Sequence, residues 1–360
     1  MRSEVELVLA GQRYAGWVEA RIERSIEQLA GAFALRVATR PGEGQALPAP
    51  LRPGLACELR VDGAPILTGR VDQVEAEHAA DRAELRLQGR DASGDLVDCA
   101  ALNTPGTWKN IALIALAEAL CTPFGIGVGS EVAGLAPLPS FALEPGETVY
   151  EALERAARVA GVLILSDGLG GLRIAREGTE RAPTALVYGE NILRASVRLS
   201  DQERFSLYVV RGQAPGDDQV WGPSRNQPEG RATDDGVGRY RPHVVVAEGG
   251  LEPVRYGERA DWEHRVRRGR SAEVTITVPG WHVSPDPGAG LWTPNTLVRV
   301  DYPPLGLAED LLIAGVVLVR GEGGTVAELA LYRPGTYDRI PLPAEDEGLG
   351  WPPAPERGAT

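Results

Sequence analysis

Residues 59–62, 66–71 and 83–87 read LRVD, ILTGRV and AELRL, and residues 298–301, 312–317 and 327–331 read VRVD, LIAGVV and AELAL. The same pieces recur in the same order near the two ends of one chain. Apolar and polar residues alternate within them, which is the period of a strand with one buried face. An ordered recurrence of this kind is the mark of a duplicated structural unit. The fold class it predicts is α+β, mainly β, with two related small β-barrels. Asp62-Gly63 lies between two of the pieces and is the dipeptide that a two-residue hairpin turn favours, because both central positions need positive φ.

Around the first copy, AGWVEAR (15–21), FALRVAT (33–39) and CELRV (57–61) alternate in the same way. A short helix is expected between the first two, with Ser25 and Gln28 as a capping-box pair and Gly31 as its stop. From about 100 to 185 the period lengthens. Thr107 can cap a helix through TWKNIALIALAEALC that ends before Pro123, and Thr148 with Glu151 can cap another through VYEALERAARVA that ends at Gly161. VLILS and GLRIA then form a hairpin around DGLG. The strand pattern returns after 186, interrupted by a stretch rich in Gly, Pro and Asp from 213 to 240. A helix is expected near 258–269, through RADWEHRVRR with Gly269 as the stop. The resulting map has a first β-barrel domain at 1–97, an inserted α+β domain at 98–185, a second β-barrel domain at 186–341 and a disordered tail at 342–360.

Composition narrows the function classes. A chain of 360 residues with 43% hydrophobic content is long enough for two or three domains at roughly 150 residues each. A net charge of −13 with a single lysine, Lys109, argues against a protein that grips nucleic acid through excess positive charge. The longest apolar run, LLIAGVVLV at 311–319, is far short of the roughly 20 residues that span a bilayer, and the N-terminus lacks a signal-peptide core. Assembly in a cytoplasm is the expectation. Cys57, Cys99 and Cys121 show no CxxC spacing and sit among apolar residues, as free thiols do.

The densest group of reactive side chains is GRDASGDLVDC, residues 89–99. Asp91, Ser93 and Asp95 match the first ligand positions of an EF-hand loop, but Leu96 stands where that loop needs Gly and Leu102 where it needs Glu. The expected role is a corner after a strand, with Asp91 or Ser93 capping a short helix and Asp95 in its first turn. His78, His243, His264 and His282 have no paired metal spacing, GLGG at 168–171 lies between strands, and no GxSxG is present. The basic run HRVRRGR (264–270) fits the C-terminal end of a helix. No catalytic, cofactor-binding or metal residue is assigned, and no cofactor is expected.

GWVEARIERSIEQLAGAF, GRDASGDLVDC, the Trp108 segment followed by CTPFGI, GETVYEALERAARVAG, RADWE, and VPGW followed by LWTPNTLV together resemble the Mu-type phage baseplate hub family (the tail protein P family), which is similar in fold to the T4 hub and to the N-terminal part of type VI secretion spikes. The resemblance runs in consistent order from about 10 to 335. It implies a non-enzymatic homotrimer in the virion tail baseplate, between a six-fold tail tube and a three-fold tail spike protein, in contact with other baseplate proteins. It implies also that DNA passes through the channel without specific binding. The other readings are a tail-associated cell-wall hydrolase, favoured by the acidic composition, and a glycan- or receptor-binding tail protein that stacks sugars on exposed Trp.

Overall fold

The alternating pieces of the first copy form β1 (Val5–Leu9), β2 (Gln12–Tyr14), β3 (Glu19–Ser25), β4 (Ala32–Thr39), β5 (Ala56–Val61), β6 (Ala64–His78) and β7 (Ala83–Asp91). The computed structural model describes residues 3–39, 51–79, 83–212, 229–247 and 255–337. Neighbours run antiparallel in the order β3-β4-β7-β6-β5-β1-β2. Asp62 and Gly63 both take positive φ, as the turn between β5 and β6 requires.

The chain then forms α1 (Gly94–Asp98), β8 (Thr107–Ile111), α2 (Leu113–Cys121), β9 (Gly127–Ser130), β10 (Leu138–Ala142), α3 (Val149–Ala160), β11 (Leu163–Ser166) and β12 (Gly171–Ala175). Thr148 and Glu151 make the expected capping box on α3, and Gly161 ends it in the left-handed conformation. Next come β13 (Leu186–Val187), β14 (Arg194–Leu199), a three-stranded sheet of β15 (Leu207–Arg211), β16 (Glu229–Thr233) and β17 (Pro242–Val246), and α4 (Tyr256–Arg270). The second copy ends with β18 (Ala272–Pro279), β19 (Thr296–Tyr302), β20 (Leu307–Gly321) and β21 (Gly324–Tyr332).

The second unit has the order β14-β18-β21-β20-β19-β13, which repeats the order β3-β4-β7-β6-β5-β1, except that β13 runs parallel to β19 where β1 runs antiparallel to β5. Each unit carries one long strand with a bulge, between Val71 and Gln73 in β6 and between Ile313 and Gly315 in β20. A bulge bends the strand and lets its two halves serve different neighbours. β6 pairs with β5 from Ala64 to Arg70 and with β7 from Gly69 onward.

The bulges set the correspondence between the copies, Asp72 with Ala314, and it runs through both hairpins without a gap to Leu87 with Leu329. The match read from AELRL and AELAL slides by two residues, and that from ILTGRV and LIAGVV by four. Both slips are even, so the same residues still face the core. Volume is exchanged at matched sites: Phe33 lies opposite Gly89, where Val274 lies opposite Leu331. A Cβ on Gly89 would come within 2.6 Å of the Phe33 ring.

The fold is α+β, mainly β, but among the described residues no sheet closes into a barrel. The outer edge of β3 is taken by β20, so the two units fuse into one 13-stranded sheet. Four local expectations differ. Residues 26–31 hold no helix, because Ile26 N–H and Ser25 Oγ both donate to the Ala314 carbonyl and draw the link onto β20. Thr107 begins strand β8, with Trp108 opposite Phe141, and α2 starts only at Leu113 with no side-chain cap. α4 runs through Gly269 to Arg270. Strand β16 falls inside the stretch 213–240, where the hairpin partner β15 recruits it. Residues 213–228 and the expected tail lie outside the described residues.

One apolar core joins both units, from Val5, Ile22 and Leu35 to Ile276, Leu318 and Leu331. A second core, with Leu116, Leu153 and Ile174, also takes in Tyr208, Tyr256 and Ala260. The α+β segment and the β15–β17/α4 module are therefore packed as one body against the sheet.

Candidate functional site

GRDASGDLVDC is the corner between β7 and α1, and its acidic residues are engaged in structure. Asp91 is 4% exposed. One carboxylate oxygen accepts from the Ser93 N–H at 2.9 Å and from Ser93 Oγ, and the other accepts from Gly31 N–H at 2.8 Å and Ser166 Oγ at 2.8 Å. One buried carboxylate thus ties the end of β7, the β3–β4 link and β11 together. Ser93 is the N-cap residue of α1, yet neither it nor Asp91 makes the expected side-chain cap of that helix. Asp95 lies in the first turn, 3.8 Å from Arg70. Hydrogen bonds from Arg90 hold the Asp98 carboxyl below the usual carboxylate range, and the same guanidinium reaches Asp72 at 2.7 Å.

The histidines fall in three places. His78 is exposed at the end of β6, and His282 lies 3.4 Å from Asp62. His243 and His264 both lie against the Tyr208 ring, and burial lowers the pKa of each. His264 stands 3.6 Å from Asp234. Burial opposes ionisation of Asp234, but two hydrogen bonds from Arg204, at 2.6 and 2.8 Å, hold its pKa low. Burial pushes the Cys57 and Cys121 thiols up to about 12, and Cys99 is exposed. Among the described residues no three His, Cys, Asp or Glu converge on a metal-sized site, and no helix is long and apolar enough to cross a membrane.

The features left for function are the sheet edges. β20 accepts β3 along its second half, Gly315 opposite Ser25, Leu318 opposite Ile22 and Arg320 opposite Ala20. Ala20, Ile22, Val316 and Leu318 are all at most 4% exposed, so this joint is a sealed piece of core. The matching half of β6, Gln73 to His78, pairs only with β7 among the described residues. The matching strand to β3 is β14, which among the described residues pairs only with β18. The pair of edges that joins the units inside the chain is thus repeated at its two ends, where no strand among the described residues pairs with either. Local patterning could not show this, because an edge is defined by what fails to pair with it.

Residues 4–91 match the family of Mu phage baseplate assembly protein GpP-like N-terminal domains, residues 93–176 the second domain of gp44-like baseplate hub proteins, and residues 253–339 the fourth domain of Mu phage baseplate assembly protein GpP. The baseplate hub protein gp44 of Escherichia phage Mu is 35% identical over 327 residues, which are 89% of this chain and 84% of that protein. The crystal structure of the 43 kDa tail protein of prophage MuSo2 from Shewanella oneidensis matches with a TM-score of 0.83 and 33% identity over 93% of this chain and 100% of that one. The Escherichia coli c3393 protein, a component of the type VI secretion system with structural similarity to the T4 tail proteins gp27 and gp5, shares the fold at a TM-score of 0.56 and 10% identity, over 93% of this chain and 79% of that one.

Proposed function

The chain belongs to the Mu-type phage baseplate hub family, and from that premise we propose that three copies form the ring that adapts a six-fold tail tube to a three-fold spike. Its structural role in the tail baseplate follows from the family. The single observation that supports the adapter reading is the edge-to-edge joint between two like units in one chain. A trimer meets six-fold symmetry on one side only if each chain supplies two equivalent units, and a head-to-tail joint that rotates each unit by about 60° closes after six. Each unit is then a barrel-like segment of a shared wall rather than a barrel of its own. The α+β body sits beside the sheet, in reach of other baseplate proteins.

The hub is non-enzymatic in this reading, is assembled in the host cytoplasm, and lets DNA pass without specific binding. A net charge of −13 per chain suits a channel wall that repels phosphates. Light scattering of the protein, alone and mixed with the spike protein, tests the assembly. A ring of three times the 38.4 kDa chain mass is expected. A particle that stays monomeric in both conditions, or that closes with a different number of chains, overturns the adapter.

A further inference from the structure

The geometry points to the joint between copies: β14 of one chain lies antiparallel along the open half of β6 of the next, with Glu75 opposite Arg198. This rests on the ring reading above and specifies the surface that closes it. The register follows from the internal joint. Gly315, Val316, Val317, Leu318, Val319 and Arg320 face Ser25, Arg24, Glu23, Ile22, Arg21 and Ala20. The bulges match Gly315 with Gln73, and the pairings of β3 and β14 with their inner neighbours match Ala20 with Ala195. Carried across, the internal register sets Val74 opposite Leu199, Glu75 opposite Arg198, Ala76 opposite Val197 and Glu77 opposite Ser196.

The side-chain chemistry agrees with this backbone register. Apolar residues meet apolar ones on one face: Val74 and Val197 already pack partly on the main core, and Leu199, 60% exposed in the single chain, would be covered. On the other face Glu75 lies opposite Arg86 within its own chain, and Arg198 lies opposite Glu273 in its own. Docking joins these pairs into an alternating ladder across four strands, Arg86, Glu75, Arg198 and Glu273. Directly opposed unlike charges stabilise an antiparallel pair, and like charges destabilise it.

β3, the matching strand of the first unit, is already covered by β20 in its own chain and is no competing edge; were it released, Glu23, which corresponds to Arg198, would face Glu75. Selection by a repulsive alternative is a common source of interface specificity. The partner is thus a second copy of this chain, presenting its second unit to the first unit of its neighbour.

Charge reversal tests the joint under whichever condition assembles the natural protein, alone or with the spike protein. Arg198→Glu and Glu75→Arg should each lower the trimer population at least about tenfold at fixed concentration, because every joint between copies then opposes like charges. The double variant Glu75→Arg with Arg198→Glu should restore it. Trimers that persist in both single variants, or a double variant that stays as weak as the singles, overturn this joint while leaving the trimer itself standing. A natural protein that never forms trimers overturns the ring reading instead. In the monomeric Arg198→Glu variant, amides 73–78 should exchange quickly on the outward side, and slow exchange there would show that the chain covers its own edge.

Discussion

The two units share one strand plan but treat the same connection very differently. The first crosses from β3 to β4 through residues 26–31, whereas the second uses residues 200–271 for the matching step from β14 to β18 and builds β15–β17 and α4 there. The α+β segment leaves from the end of β7, beside that same connection, since Ala32 is opposite Arg90. Both additions thus emerge at one end of the sheet and share one apolar core. Added length in a connection raises loop-closure entropy only slowly, so an end of the sheet tolerates it. A residue inserted into an edge strand would shift the register and turn its apolar face outward. Decoration at one end and bare edges at the sides are what a unit needs if its edges must meet further units.

The largest expected effect separates the units at Asp91, which has no equivalent carboxylate in the second unit, where the bulge correspondence places Arg333. Asp91→Ala leaves the buried Gly31 and Ser93 N–H groups and Ser166 Oγ without their acceptor, and should cost about 3 kcal/mol in chemical denaturation. A cost below about 0.5 kcal/mol, the range of ordinary surface changes, would mean that the corner is not held by this carboxylate.

A medium effect distinguishes the structural correspondence from the sequence match. Gly69 and Gly315 align in sequence, but a Cβ on Gly69 would lie 2.0 Å from the Arg90 carbonyl oxygen, whereas one on Gly315 meets nothing nearer than the Ala330 Cβ at 3.6 Å. Gly69→Ala should cost about 2 kcal/mol through overpacking and Gly315→Ala close to nothing. Equal losses in melting experiments would restore the sequence register.

The smallest effect concerns acid. Burial lowers the pKa of His243 and His264, both in the module unique to the second unit. An unfolded chain then takes up protons more readily than the folded one, so the stability present above pH 6.5 is lost as pH falls through the lower folded values. Hydrogen exchange at pH 7 and pH 5 should show β15–β17 and α4 loosening while β3–β7 hold. Loosening of both regions together would remove the distinction.

How much of this was legible in the sequence depends on the range of the interaction. Alternation named most strands of both units, Asp62-Gly63 named a turn, and the Thr148–Glu151 pair named a helix start, because each is decided within a few residues. Trp108 and its neighbours read as helix because their partner, β10, is distant in sequence. The Ser25–Gln28 pattern was overruled by one remote carbonyl, that of Ala314. The corner at Asp91 was placed correctly, but its bonds to Gly31 and Ser166 depend on tertiary neighbours. The edges of β6 and β14 that no described strand covers depend on how every strand of both units pairs.

The exchange of volume between Phe33 with Gly89 and Val274 with Leu331 has a genetic consequence. Duplicated segments in one gene can recombine with each other, and a crossover that replaced β7 by β21 would set Leu331 under the Phe33 ring, where even a Cβ has no room. The reciprocal product would leave Val274 facing a glycine and a void. Homogenisation of the two copies is therefore disfavoured unless β4 and β18 are exchanged in the same event, and each of those strands is separated in the chain from its partner by two further strands. Once the pair had changed together, each copy could keep its own identity and adapt to a different neighbour.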